Sequence, residues 1–302
     1  MKSFKEVIAA AAQGTPVTVA VVAPYDQNTF SAVTLGVQKH IVRARLFGER
    51  TRIEAAMAEC ESNSADYEIV DSKTPVLSAI EAVRSGECDV IMKGTVSTPI
   101  IMSACLNKTT GLNLGRSLSG ITVCEIPAYG KFLAVSDPAL NILPTLDQKV
   151  DITRNMIVLM HAIGIEQPKI ALLSTIEDVS LKIPSSMDAA IITQMNRRGQ
   201  IKGAIVDGPL AFDNIVSAHA AERKGINSPV AGDADGIIVP NMECGNALVK
   251  SVYYFAGSCN AAVVVGAAAP IILPSRAISP EAKLAALALG ALLAKRIKEE
   301  KQ

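Results

Sequence analysis

Short runs of β-branched and aliphatic residues alternate along this chain with longer stretches of helical periodicity. Runs at 17–22, 42–47, 67–70, 89–92 and 121–126 predict strands in the first half. The helices between them carry start signals: Asp26 ahead of 28–39, Thr74 with Pro75 at the first helical position, and Thr98 with Pro99 likewise. Ala128-Tyr129-Gly130 separates two apolar runs, 123–126 and 132–135, as the turn of a β-hairpin would, and a long helix is predicted over 147–163. The rhythm restarts with strands at 169–173, 204–206, 236–239, 262–265 and 271–273, each followed by a helix or turn. Strands that alternate with helices in this way predict an α/β fold, its parallel strands buried beneath helices.

The length of 302 residues suits two α/β domains of ~150 residues each. No low-complexity linker marks the join, which is expected near 137–147, where Pro138 and Pro144 interrupt both patterns. The last helix, predicted over 280–298, reads as amphipathic and ends in solvated charge, so it should dock its apolar face on one of the domains.

Composition narrows the functional classes. With 29 basic and 29 acidic side chains the formal charge is zero, so no global field is available to hold a nucleic-acid backbone, and an anionic ligand must be held locally. Trp is absent and aromatics make up 4%, which leaves Ala, Val, Ile and Leu to build the core. The six cysteines are scattered singly, without zinc or disulfide spacing, and reduced thiols are expected. The first residues lack the charged-then-apolar order of a signal peptide, and the most apolar stretch, 261–273, falls short of the ~20 residues of a membrane span. A cytoplasmic protein with no membrane partner is the expectation.

Several segments could carry chemistry. Lys93-Gly94-Thr95-Val96-Ser97-Thr98-Pro99 ends a predicted strand and opens a helix, gathering a lysine, hydroxyls and unpaired N–H groups into a candidate anion cradle; a plain N-cap turn is the alternative. It lacks the spacing of a nucleoside-triphosphate loop, and no dinucleotide fingerprint occurs after a strand. Asp207 follows the 204–206 strand, where an acid would point into the ligand crevice of an open sheet; a turn aspartate is the alternative. Asp233 and Asp235 lack a third carboxylate at coordinating spacing, so ordinary loop hydrogen bonding is expected there and no metal. Ser275-Arg276 closes the 271–273 strand, and the planar fork of Arg276 suits a phosphate; Arg116, in Gly115-Arg116-Ser117, is a second candidate. His40, His161 and His219 form no triad.

These blocks, in this order, resemble the phosphate acetyltransferase and phosphate butyryltransferase family, through nearly the whole chain. The resemblance is carried by Asp207-Gly-Pro-Leu-Ala-Phe-Asp213, Ser228-Pro-Val-Ala-Gly-Asp-Ala-Asp235, Gly245-Asn246 with Lys250, Ser275-Arg276 and the Lys93–Thr98 loop; Pro209 and Ala211 look closer to the butyryl branch. It implies two α/β domains with a cleft between them, related to the isocitrate dehydrogenases, divided as 1–137 plus 276–302 against 138–275. A homodimer or higher homo-oligomer is implied as well.

The implied reaction is reversible acyl transfer: acyl-CoA and inorganic phosphate give an acyl phosphate and free CoA, with CoA as a substrate and no metal or prosthetic group. On that reading Arg276 and Arg116 meet phosphate charge, with Lys93 in reserve. Thr95, Ser97 and Thr98, beside Gly94, meet phosphate oxygens. Ser275 hydrogen-bonds the oxyanion or thiolate, Asn241, Gly245 and Asn246 line the cleft with Lys250 nearby, and Asp207 orients a donor. Acetyltransferases of the family carry an aspartate where this chain has Ala282, so the general base is open; an ordinary thiol is already a few per cent thiolate near neutrality. Two rivals remain: a noncatalytic CoA- or phosphate-binding homologue and, more distantly, a decarboxylating dehydrogenase of similar fold.

Overall fold

The computed structural model describes residues 1–60, 67–274 and 279–300. The chain divides into two compact units, one of residues 4–116 with 261–302 and the other of residues 1–3 with 117–260. Both are α/β.

In the first unit, β1 (Val17–Val22), β2 (Val42–Gly48), β3 (Tyr67–Asp71) and β4 (Val90–Lys93) lie in the order β3-β2-β1-β4, all parallel, and β11 (Ile271–Ile272) joins β4 in parallel. β10 (Cys259–Val265) runs antiparallel to β11, with Val264 opposite Ile271. The central strands bury nearly every residue, as strands covered on both faces must, which is why they read as unbroken apolar runs. Two helix groups cover them: α4 (Pro75–Arg84) packs with α5 (Thr98–Leu106), while α2 (Gln27–Gln38) and α1 (Phe4–Ala11) pack on α11 (Pro280–Glu299). α3 (Arg50–Glu59) follows β2.

The second unit orders its strands β5-β6-β9-β7-β8. The hairpin of β5 (Ser119–Glu125) and β6 (Phe132–Ser136) is antiparallel; β9 (Gly236–Ile238), β7 (Lys169–Leu173) and β8 (Ile205–Leu210) continue in parallel. α6 (Leu146–Ala162) starts at a capping box in which Thr145 and Gln148 satisfy each other's backbone N–H. α7 (Pro184–Arg197), the short α8 (Phe212–Val216) and α9 (Ala218–Arg223), and α10 (Met242–Phe255) complete the unit. Its core joins Leu133, Val135, Ala171, Leu210, Ile237 and Val239 to Ile215 and Val230.

The units part at 116/117 and 260/261, whereas the sequence reading set the division at 137/138 and 275/276. β6 hydrogen-bonds β9, which places the hairpin beside β9, β7 and β8. α11 also departs from the amphipathic reading. Residues 282–291 are buried all round, and solvent reaches the helix at its first two residues and its last turns, as expected of a helix enclosed by α1, α2 and the strands. α5 begins one residue earlier than its Thr-Pro signal suggests, with Ser97 as N-cap and Pro99 in the second position.

Leu287 on α11 is 1% exposed and reaches toward Gly36 of α2. Leu287→Ala should cost roughly 2–5 kcal/mol of stability by leaving a cavity in this contact, measured by denaturant unfolding. A loss under about 1 kcal/mol would show that α11 is not a core element.

Candidate active site

The Lys93 loop is set by how two strands end. β1 and β4 are parallel neighbours with Val22 opposite Lys93, and the chain leaving β4 crosses the chain leaving β1 at once. The Gly94 N–H donates to Val22 O (2.8 Å) and the Thr95 N–H to Ala23 O (2.9 Å). A Cβ on Gly94 would stand 2.4 Å from Ala23 O, so this position needs glycine. Thr95 Oγ1 donates to the same carbonyl at 3.0 Å. Ala23 itself has φ +50, a left-handed conformation that a non-glycine residue holds only where its surroundings enforce it.

Beyond Ala23 the chain turns through Pro24 and Tyr25 into α2. Asp26 caps that helix, accepting from the Thr29 N–H at 2.9 Å and from Thr29 Oγ1 at 2.7 Å. These strand ends, the start of α2, Pro274 and Lys283 of α11 enclose a cavity of about 340 Å³, lined by Asp26, Asn28, Thr29, Lys93, Gly94, Thr95, Pro274 and Lys283. Two of its residues are buried cations: Lys93 is 6% exposed, with Nζ donating to Gly94 O at 3.2 Å, and Lys283 is 2% exposed.

Of the residues singled out from sequence, the cavity gathers Lys93, Gly94 and Thr95. Ser97 and Thr98 stand exposed at the start of α5, outside its lining. Arg116 is exposed and donates from Nε to Gly266 O at 3.3 Å. Ser275 and Arg276 lie outside the described residues. Ala282 is buried at the third position of α11, its N–H donated to Ser279 Oγ; the adjacent Glu281 is exposed, its carboxyl held below the usual range by its own backbone N–H and by Ser279.

In the other unit, Asn241 caps α10 by accepting from the Cys244 N–H at 2.9 Å. A Cβ on Gly245 would stand 2.9 Å from Val239 and 3.1 Å from both Asp137 O and Pro138 Cα, while Asn246 donates to Pro138 O at 3.2 Å. The start of α10 is thereby joined to the turn at 137–141. Asp137, 2% exposed, organises that turn by accepting from the N–H groups of Gly120, Ala139 and Leu140 and from Asn141 Nδ2. Lys250 is exposed farther along α10. Asp207 sits apart and is not at a strand end: it lies inside β8, opposite Ala171, with an ion pair to Arg197 at 3.4 Å. The strand expected at 204–206 runs on to Leu210: β8 is the last strand of its sheet order and continues through Pro209, since an edge position tolerates a missing N–H.

Asp26, Thr29, Lys283 and Asp137 were not marked as site residues by the sequence. Asp26 reads only as a helix cap. Lys283 had one available signal, a lysine set in the alanine- and leucine-rich run that follows it.

Burial pushes the Cys88 thiol up to about 11 and those of Cys105 and Cys124 up to about 12, so these cysteines are poor nucleophiles near neutrality. Among the described residues no three His, Cys, Asp or Glu side chains gather into a metal-holding group, and no helix is long and apolar enough to cross a membrane.

Burial pulls the Lys283 ammonium below the usual lysine range, with the Asp26 carboxylate opposing it. Between the lowered folded value and the ordinary value near ~10.4 the unfolded chain holds more protons at this site, so stability rises with pH through that window. Below it the handicap of a buried charge is complete. Lys283→Met should therefore raise Tm at neutral pH, with the gap to the wild type closing as pH approaches ~10. A gap that is constant or widens with pH would contradict this.

Three comparisons place the chain. Residues 73–291 match the family model for phosphate acetyl/butaryl transferase. The chain is 39% identical to the phosphate butyryltransferase of Clostridium acetobutylicum, covering 97% of this chain and 99% of that one. It is also 39% identical to the phosphate acetyltransferase of Thermotoga maritima, covering 96% of this chain and all of that one. The crystal structure of a branched-chain phosphotransacylase from Enterococcus faecalis superposes with a TM-score of 0.80 at 26% identity, covering 92% of this chain and 99% of that one. A family match over most of the chain, near-complete relatives at this identity and the same α/β fold agree: the chain belongs to the phosphate acetyl/butyryl transferase family.

Proposed function

We propose that this protein catalyses reversible transfer of a short acyl group between CoA and inorganic phosphate, with butyryl favoured over acetyl. The observation that carries the reading is the Lys93 loop, in a chain of this family: a buried cation held at the end of a parallel strand beside a cavity in an otherwise neutral protein. Phosphate oxygen attacks the thioester carbonyl, a tetrahedral oxyanion forms, and CoA leaves as thiolate and takes up a proton. Lys93 and Arg276 supply charge to phosphate, with Arg116 as a further cation. Ser275 donates to the oxyanion or thiolate. Gly94, through its close approach, fixes Lys93 and Thr95, while Ser97 and Thr98 offer hydroxyls at the start of α5. Asn241, Gly245, Asn246 and Lys250 of α10 contact the CoA substrate, and Asp207 orients a donor.

Direct transfer needs no covalent enzyme intermediate, in keeping with the raised thiols. The reaction needs no metal or prosthetic group. With Ala282 in place of an acid, local positive charge favours the CoA thiolate in place of a dedicated carboxylate base. A cytoplasmic homodimer is the form we propose. In support, Gly245 is the sole buried residue of α10, and Tyr254 and Phe255 at its end are 74% and 90% exposed, a surface suited to a second copy.

The test is thiol release from acyl-CoA on addition of phosphate. Turnover is expected in EDTA, with kcat/KM about tenfold higher for butyryl-CoA than for acetyl-CoA, since each buried CH₂ contributes ~0.8 kcal/mol. A higher kcat/KM for acetyl-CoA would reverse the chain-length assignment, and absence of turnover on every short acyl-CoA would favour a noncatalytic binding protein. Arg276→Ala, shown folded by circular dichroism, should lower turnover by about a hundredfold, and Lys at this position should rescue only in part. Near-normal turnover in Arg276→Ala would leave Lys93 or Arg116 as the phosphate ligand.

A further inference from the structure

Lys283 is assigned no role by the reading above, and its position is unusual. It is 2% exposed at the fourth position of α11, within the stretch 282–291 that is buried all round. Its backbone N–H donates to Ser279 O, as helix geometry requires. Among the described residues its ammonium has no hydrogen-bond or ion-pair partner, and the Asp26 carboxylate is the charged group that favours its protonated form. A buried ammonium without partners is costly, and such a group is retained where something completes it.

The cavity it faces indicates what that is. The hydroxyl protons on its wall are directed inward: Thr29 donates to Asp26, and Thr95 donates to Ala23 O. Both Asp26 oxygens are in turn occupied by Thr29. Among the described residues the lining therefore contributes two ammonium groups against one carboxylate, a net charge of +1, and Lys283 adds three N–H donors with no acceptor of its own. A ligand that fits is an anion made of acceptor oxygens, small enough for about 340 Å³.

We propose that Lys283 and Lys93 together hold a phosphoryl oxyanion in this cavity, with Lys283 as a binding residue for it. The proposal rests on the phosphate acyltransferase reading for the choice of anion. Two sources share this chemistry, inorganic phosphate and the phosphate groups of CoA.

The experiment compares wild type, Lys283→Met and Lys283→Arg by calorimetric titration with inorganic phosphate and, separately, with CoA, supported by the shift in Tm that each ligand produces. Met keeps the length and removes the charge, and it suits the apolar surroundings of α11, so a folded variant is expected. Lys283→Met should weaken binding in one arm by about tenfold or more and abolish that ligand's Tm shift, whereas Lys283→Arg should recover part of the binding. Loss in the phosphate arm upholds the proposal with inorganic phosphate as the source, and loss in the CoA arm upholds it with CoA as the source. Unchanged affinity and unchanged Tm shifts in both arms of Lys283→Met would overturn it. Should Lys283→Met fail to fold, Lys283→Gln supplies the same neutral comparison. Binding is read without turnover, so a wild type that binds phosphate but releases no thiol would refute the acyltransferase activity while leaving this site standing.

Discussion

One carbonyl oxygen fixes the geometry on which the candidate site depends. Ala23 O accepts three donors, the N–H of Tyr25 at 2.9 Å, the N–H of Thr95 at 2.9 Å and the hydroxyl of Thr95 at 3.0 Å. This node joins the exits of β1 and β4, and with them the cap of α2 to the Lys93 loop. It holds Ala23 in a left-handed conformation, which for a non-glycine residue costs roughly 1–3 kcal/mol and persists because its neighbours enforce it. Gly94 belongs to the same constraint, since any side chain there would displace the carbonyl. Side chains mounted on so tightly crossed a pair of strand ends have little freedom, and this is the preorganisation that a charged site needs.

Enclosure of cationic groups is the second feature. α11 is the most thoroughly buried helix of its unit, and a lysine near its start is carried inside with it. Burial that stabilises Leu287 works against Lys283, whose ammonium gives up water without gaining a hydrogen bond among the described residues. Burial thus acts in opposite directions at two positions one turn apart on the same helix.

The second unit solves a comparable problem with a carboxylate. Asp137 gathers four donors at the end of β6 and so fixes the turn on which the start of α10 rests. Gly245 and Asn246 are then accounted for locally, one by close packing on Val239, Asp137 and Pro138 and the other by its bond to Pro138 O. Part of what marks these residues in sequence is therefore the architecture of a helix start. Asp207, by contrast, is tied to Arg197 on an edge strand.

The sequence by itself determined the α/β class, most strand positions, several helix starts and the place of the Lys93 loop between a strand end and a helix, because each is written in local periodicity, capping residues and glycine placement. β1 matches its expected bounds, and Asp26 caps α2 as its position implies. The pairing of β6 with β9 is a contact between segments about a hundred residues apart that no local pattern encodes. The continuation of β8 through Pro209 depended on its edge position, which likewise exists only in the assembled sheet. The charge of the cavity was settled in the same way. Lys93 and Lys283 are separated by 190 positions of sequence, and only the docking of α11 beside β1 and β4 places both ammoniums on one cavity, because burial and electrostatic environment are properties of what surrounds a residue in space.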